Sequence, residues 1–556
     1  MPMNAGQFIA RLMKQESLER IFILTGGDHH LWIGLDDEGV QAMLARSEAS
    51  AIYMADGFAQ RSGKVSIAYG QGGPGAANVS GAMADPFWSR TPLVTLNGAT
   101  LEKDKYRTQY QDLDTDPMLE AVTVQNFRIS SADQLVTLLP RAIAIARRDG
   151  PVNVSIPRDL FGKSVGEVGW PVVIPELAGE PFPDPAAIDA AAVAIGGMRR
   201  PLILAGVGAK RAGLGPEILA LARRLGALIA TSAGGKGVIP EDDELAAGVI
   251  GRYSGRSSVA TAAEADGLIV LGSRLGGLVT DGYRFPVDGG LIVQLDRDPH
   301  ALALHPGPGV RVQTDLRQGL AALLSKLGTG DPPAETTEWR GAAIRRRSDW
   351  WAAVAALPVA GTDGAVRPHA VFPILSERAD RITVVADTGY MAAWSAALFR
   401  VRQPEGFYRA NGSLGWAFPA AMGIQLAAPD RRVVCVSGDG GIGYHMGDFE
   451  TAMRLHIPLV VVVLNNAMLA FEYHGQKYKY DNRIVPAVND LSDLDHSGVA
   501  RAFGWQGERV RTVDAFAEAL DRALADPGNP WLIDVVIDRE DFAPITNYDG
   551  VLERTI

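Results

Sequence analysis

A single cysteine, Cys435, stands among 556 residues, so the chain has no internal disulfide. It lies in the apolar run Arg431–Ser437 and reads as a buried strand residue rather than a nucleophile. Long apolar runs are missing as well: none approaches the roughly 20 residues of a membrane span. Near the start, Arg11, Lys14 and Arg20 interrupt any apolar core of a secretory signal. A cytoplasmic protein with no membrane partner is expected. Basic excess is the third absence. The net charge is −11, whereas a nucleic-acid partner calls for a basic face, so none is expected.

What is present is the composition of a globular protein, 47% hydrophobic and 21% charged, in a chain too long for one core. Apolar β-branched runs alternate with helical patterns. Val65–Tyr69, Leu93–Asn97, Val152–Ile156, Leu202–Ala205, Gly267–Gly272, Leu291–Leu295, Ile382–Ala386, Val433–Ser437, Leu459–Leu464 and Trp531–Ile537 read as strands. Several are continuously apolar, as strands covered on both faces are. Their alternation with helices implies an α/β protein with parallel sheets. Residues 163–185 and 328–345 are weakly periodic, carry clustered prolines, and read as connectors. Three domains follow, 1–165, 185–330 and 345–556, each expected to be a parallel sheet flanked by helices. Whether the first and third are distant duplicates is open at this level.

The most informative segment runs from Ser437-Gly438-Asp439-Gly440-Gly441 to Leu464-Asn465-Asn466. A strand, a glycine turn and a helix N-terminus make an anion site, because free N–H groups and the helix dipole converge on the turn. Asp439 in that turn would repel a phosphate unless a cation lay between them. That points to a hard metal with oxygen ligands, magnesium being the usual diphosphate partner. Asn466 follows the next strand, and the carboxyl ends of neighbouring parallel strands share one edge.

GDG, a helix, a strand and NN in this order resemble the cofactor motif of thiamine-diphosphate enzymes. The group comprises acetolactate synthase, benzoylformate decarboxylase, benzaldehyde lyase and 2-hydroxyacyl-CoA lyase. The resemblance implies Mg2+ held by Asp439, Asn466 and the backbone carbonyl of Met468. It also implies a thiamine-diphosphate cradle that includes Gly438, Gly440, Gly441 and Leu469. The outer domains are then pyrimidine-binding and diphosphate-binding, with a central domain between them. Met468 stands where the family often has glycine, which a backbone ligand tolerates.

Ser47-Glu48-Ala49-Ser50-Ala51 opens an Ala-rich stretch similar to the family's activating segment. Glu48 is then the carboxyl that hydrogen-bonds the pyrimidine nitrogen and promotes loss of the thiazolium proton, giving the carbanion. Many relatives have His before this Glu; Ser47 leaves activation intact and puts the substrate side in doubt. Further along, Gly72–Asn78 resembles the loop near the pyrimidine, so Asn78 is an expected cofactor contact; the resemblance also implies one at Gly26, in Thr25-Gly26-Gly27. Gln111 matches a glutamine that faces the reactive centre. Gly389 and Tyr390, in Asp387-Thr388-Gly389-Tyr390, are expected near the diphosphate. Gly412–Ala421 resembles the stretch whose leucine, here Leu414, props the cofactor in its bent shape.

On the substrate side, Glu472 occupies the offset of an acid–base glutamate in pyruvate and indolepyruvate decarboxylases. Asp28 and His29 follow Thr25-Gly26-Gly27, where relatives place a polar active-site residue. Solvated loops are the alternative for all three. Gly206-Val207-Gly208 follows a strand in the central unit, where some relatives hold FAD or ADP; structural glycine is the favoured reading. The resemblance implies a carbon–carbon lyase or carboligase acting on a small-molecule 2-keto acid through a carbanion and enamine. The alternative is a 2-hydroxyacyl-CoA or benzaldehyde-lyase-like enzyme, in which Lys477 and Lys479 could meet CoA phosphates. A cofactor-binding regulator without catalysis is the third reading, and Glu48 argues against it. A homodimer or homotetramer is expected, because in the family the two cofactor-binding domain types meet across a subunit interface.

Overall fold

The computed structural model describes residues 3–104, 107–177, 179–285, 290–305, 307–328, 330–361, 363–543 and 545. They form three α/β domains, each built on a six-stranded sheet in which every pairing is parallel. The first sheet holds β1 (Arg20–Ile23), β2 (Gln41–Leu44), β3 (Ser66–Gly70), β4 (Leu93–Ala99), β5 (Gln125–Arg128) and β6 (Val152–Pro157). The second holds β7 (Pro201–Ala205), β8 (Leu228–Thr231), β9 (Ala246–Val249), β10 (Gly267–Leu271), β11 (Leu291–Asp296) and β12 (Gly309–Gln313). The third holds β13 (Ile382–Ala386), β14 (Phe407–Arg409), β15 (Arg432–Gly438), β16 (Val460–Asn465), β17 (Gln506–Val510) and β18 (Trp531–Val536).

The first sheet runs β2-β1-β3-β4-β6-β5 and the third β14-β13-β15-β16-β18-β17. β13–β18 thus occupy the places that β1–β6 occupy, and the outer domains share one topology. The second sheet, β12-β11-β10-β7-β8-β9, reverses between β7 and β10, the doubly wound order. Gly206 and Gly208 lie at that reversal, where an added Cβ on Gly206 would stand 2.2 Å from the Gly272 carbonyl oxygen. Close packing therefore accounts for the first glycine. The edge beside them opens on a cleft of about 700 Å³ bounded by Arg90, Arg274, Arg297, Asp296 and Asp298.

Residues 163–184 carry no helix and no sheet strand among those described. The second expected connector differs. Ala334–Ala355 is a 22-residue helix, so the chain is irregular only as far as Pro333. Trp339 and Ala343 pack on the middle sheet while Val354 joins the core of the third domain. Serving two cores in succession, the helix has no single apolar stripe, and its sequence shows little period.

The outer domains are joined by the helices Glu48–Ser62 and Ala417–Ala427. Their backbones approach so closely that a Cβ on Gly423 would fall 1.9 Å from the Met54 carbonyl oxygen. Trp416 Nε1 donates to the buried Asp56 carboxylate at 2.8 Å across this contact. Among the described residues, no helix is long and apolar enough to cross a membrane.

Candidate active site

The carboxyl edge of the first sheet gathers one polar cluster. Glu48 begins its helix after Ser47, whose hydroxyl accepts from the Ser50 N–H, and it is 8% exposed. Asn78 Nδ2 donates to Glu48 Oε2 at 3.1 Å. Gly75 packs beside it, and a Cβ there would lie 2.9 Å from Glu48 Oε1. After β3, Gln71 Nε2 donates to Gln111 Oε1 at 3.0 Å, and Gln111 itself holds a φ of 62°. Gly26 lies against Gln71, where a Cβ would come 2.4 Å from the amide carbon.

Asp28 follows β1, is 4% exposed and accepts from the Tyr69 hydroxyl. Burial pushes its carboxyl up to about 6, against the pull of the Tyr69 hydrogen bond and the Arg158 and His29 charges. Arg158, directly after β6, reaches Gln111 Oε1 at 3.5 Å and has no ion pair among the described residues. His29 is exposed and makes no hydrogen bond within this cluster among the described residues.

The third sheet presents a second cluster at its own carboxyl edge. Asp439 begins a short helix after β15, and its Oδ1 accepts from the Gly440 N–H at 2.8 Å. Its Oδ2 accepts from the Met468 N–H at 3.2 Å, which places Asp439 against the loop that follows Asn466. Burial raises the Asp439 carboxyl, opposed by those backbone donors. Asn466 is 8% exposed, and its side chain makes no hydrogen bond among the described residues. Asn465 is instead structural: its Nδ2 bonds Asp534 and the Leu494 carbonyl, both at 3.0 Å. Leu469 N–H bonds the Asn489 carbonyl at 2.7 Å, and a Cβ on Gly440 would meet the Leu469 side chain at 2.6 Å.

Asp387 orders the surrounding turns. Its carboxylate accepts from Ser437 Oγ at 2.7 Å, the Thr388 N–H at 2.9 Å and the Gly415 N–H at 3.1 Å. Burial holds it up at about 6. It thereby ties β13 and β15 to the turn bearing Gly412, Ser413 and Leu414, and a Cβ on Gly441 would strike it at 2.3 Å. Gly389, with φ 71°, precedes the helix Tyr390–Leu398, and the Tyr390 hydroxyl lies 2.9 Å from His474 Nδ1.

The structure therefore assembles Asp28, Glu48, Asn78 and Gln111 at one edge, and Asp439, Asn466 and Met468 at another. No hydrogen bond or ion pair joins the two groups within one chain among the described residues. Glu472 is exposed on the first turn of the helix Ala470–Lys479, which starts directly after Leu469, and its N–H bonds the Leu469 carbonyl at 3.1 Å. Tyr69, Gln71, Arg158 and the clamping role of Asp387 escaped the sequence reading; Arg158, a charge directly after a buried strand, was the visible signal among them.

Among the described residues, no three His, Cys, Asp or Glu side chains converge as a metal site. The Asp439 set has another character: one carboxylate, one unpaired amide and a backbone segment, all oxygen donors. That donor chemistry fits a hard cation carrying phosphate oxygens, and the glycine turn fits a phosphate approached by backbone N–H groups.

The chain belongs to the thiamine-pyrophosphate (thiamine-diphosphate) enzyme family. The family's N-terminal TPP-binding domain matches residues 3–118, its central domain 188–323, and its C-terminal TPP-binding domain 387–535. A putative acetolactate synthase large subunit of Mycobacterium tuberculosis is 31% identical over 530 residues, covering 91% of this chain and 92% of that protein. A probable 2-ketoarginine decarboxylase of Pseudomonas aeruginosa is 32% identical over 484 residues, covering 84% and 83%. A probable acetolactate synthase large subunit of Methanocaldococcus jannaschii is 27% identical over 572 residues, covering 100% and 95%. The protein is thus related to acetolactate-synthase-like large subunits. It is a thiamine-diphosphate enzyme that forms or breaks carbon–carbon bonds in 2-keto or 2-hydroxy substrates.

Proposed function

We propose that the enzyme is a Mg2+-dependent decarboxylase or carboligase of a 2-keto acid, and that two copies complete each active site. The observation that carries this reading is Arg158, a guanidinium without an ion pair beside Asp28 and Gln111, on the same edge as Glu48. A planar guanidinium matches a carboxylate in charge and shape. The relatives named as acetolactate synthases and as a 2-ketoarginine decarboxylase support the same substrate class.

Bound thiamine diphosphate supplies a nucleophilic carbon and an electron sink for the carbon–carbon bond that changes. Glu48, steadied by Asn78, would share a proton with the pyrimidine nitrogen of the bound cofactor. Asp439, Asn466 and the Met468 carbonyl would hold the metal, and Gly438, Gly440, Gly441 and Leu469 would frame the diphosphate. Gly26, Gly389, Tyr390, Gly412 and Leu414 form the remaining contacts, with Leu414 fixed through the Asp387–Gly415 bond. Gln111 and Arg158 orient the substrate, while Asp28, His29 and Glu472 serve proton transfer on its side. In the thiamine-diphosphate enzymes the two cofactor-binding domain types meet across a subunit interface, so a second copy would bring the Glu48 and Asp439 groups together.

Against a CoA thioester, Lys477 is engaged by Glu540 and Lys479 has an interaction of its own. A panel of 2-keto acids, 2-ketoarginine included, and 2-hydroxyacyl-CoAs tests the reading by released CO2 and aldehyde. Turnover of a 2-keto acid is expected. Cleavage of 2-hydroxyacyl-CoAs alone would overturn it.

A further inference from the structure

We infer that the junction of the three domains carries a binding site for a small multivalent oxyanion, of phosphate or short-dicarboxylate size. The site is a cavity of about 160 Å³ whose walls come from the end of the helix Glu48–Ser62, the turn after β7, and the β14 segment. Arg61, Lys210, Arg211 and Arg409 line it, with Glu405 as the only carboxylate in the wall among the described residues. Glu405 is already paired with Arg61.

The other three cations meet only neutral acceptors. Lys210 Nζ donates to the Phe407 carbonyl and lies 4.5 Å from the Tyr408 ring centre. Arg211 donates to the carbonyls of Ser89 and Arg90, and Arg409 to that of Ala410. None of the three has an ion pair among the described residues. The Nε–H groups of Arg61 and Arg409 are buried and find no acceptor among them either.

Carboxylates behind the wall are committed elsewhere. Asp56 accepts from Gln60, Thr91 and Trp416, and Asp85 from the backbone N–H groups of Asn411 and Ser413. Like charges drawn out of water with vacant donors call for a counter-charge. Consistently, burial pushes the Lys210 amine down to about 7 and Arg211 down to about 10, in spite of the pull of Glu405 on the first and of Asp56 on the second. A bound oxyanion supplies the missing acceptors and links the three domains through one ligand. The volume admits a tetrahedral oxyanion or a small dicarboxylate and excludes a nucleotide. The inference stands apart from the assignment of the substrate.

The test uses the full chain in a buffer free of multivalent anions, with inorganic phosphate and malonate as probes. Calorimetry is expected to show saturable binding of at least one probe, weakened at least about tenfold in Lys210→Met and Arg409→Met. On the unaltered protein, the bound probe should protect Lys210, but not exposed Lys64, from an amine-acylating reagent mapped by mass spectrometry. This footprint decides the matter if a variant fails to fold. Preference for phosphate or malonate tells a tetrahedral ligand from a dicarboxylate. Absence of saturable binding by both probes, equal binding in the folded variants, or unprotected Lys210 would each overturn the inference.

Discussion

Asn78 Nδ2 donates to Glu48 Oε2 at 3.1 Å, so the middle of the helix Pro74–Ala82 holds the carboxylate at the head of the helix Glu48–Ser62. Removing that donor frees the carboxylate to swing while leaving the diphosphate side untouched. Asn78→Ala is expected to lower kcat by about 10²-fold, the scale of a misplaced reacting group, with cofactor affinity nearly unchanged. Steady-state kinetics beside calorimetric titration of thiamine diphosphate checks the split. An unchanged kcat would remove Asn78 from the site.

Asp439 contacts the backbone after two adjacent strands of the third sheet, through Gly440 beyond β15 and Met468 beyond β16. Asp439→Ala is expected to lose cofactor rather than merely slow turnover, because the metal between carboxylate and diphosphate goes with it. A loss of about 2–5 kcal/mol in thiamine-diphosphate binding is the scale for a truncated buried charge partner. Calorimetry in excess magnesium measures it. Undiminished affinity would dismiss the proposed metal site.

Asp28 gives a pH prediction. Its carboxyl is pushed up to about 6 in the fold, above the ordinary value of 3.8. The folded chain therefore binds the extra proton more readily than the unfolded one, and this group's contribution to stability declines as pH rises from about 4 to about 6. Tyr69 and Arg158 favour the ionised form locally. Activity is accordingly expected to rise through pH 6 in kcat/KM profiles and to lose that limb in Asp28→Asn. A profile with the same limb in the variant would exclude Asp28 as the titrating group.

The sequence made central strands legible where burial on both faces left continuous apolar runs, as in β16, whose six residues are all buried. Edge strands were harder, because β5 (Gln-Asn-Phe-Arg) and β17 (Gln-Gly-Glu-Arg-Val) are mostly half-buried and have little apolar pattern. The helix Ala334–Ala355 was hidden by its division between two cores. At the candidate site, Asp439 and Asn466 stood out because a local motif places them on adjacent strand ends. Arg158 did not, because its neighbours Gln111 and Asp28 are distant in sequence and only the parallel order of β1, β4 and β6 brings them together. Asp387 was read through its turn, whereas its side chain spans to Ser437 and Gly415, a relation that local sequence does not encode.

A site shared between two copies predicts complementation between defective chains. Mixed and refolded together, Glu48→Gln and Asp439→Ala are each inactive alone, yet a hybrid dimer contains one intact site. About a quarter of normal activity is expected from statistical pairing of two-fold dimers. Sedimentation should show a dimer or a larger assembly. An active monomer, or a mixture with no recovered activity, would contradict sites shared between subunits.

The most direct measurement is hydrogen–deuterium exchange at the thiazolium carbon of bound thiamine diphosphate, which needs no knowledge of the natural substrate. Glu48→Gln is expected to keep the cofactor and lose nearly all enzymatic acceleration of exchange, because an amide cannot share a proton with the pyrimidine nitrogen as the carboxyl does. Glu472→Gln is expected to exchange like the unaltered enzyme and to slow turnover by about 10²–10⁴-fold, the scale of a positioned acid–base group. Unimpaired exchange in Glu48→Gln with cofactor bound would contradict the account at its centre.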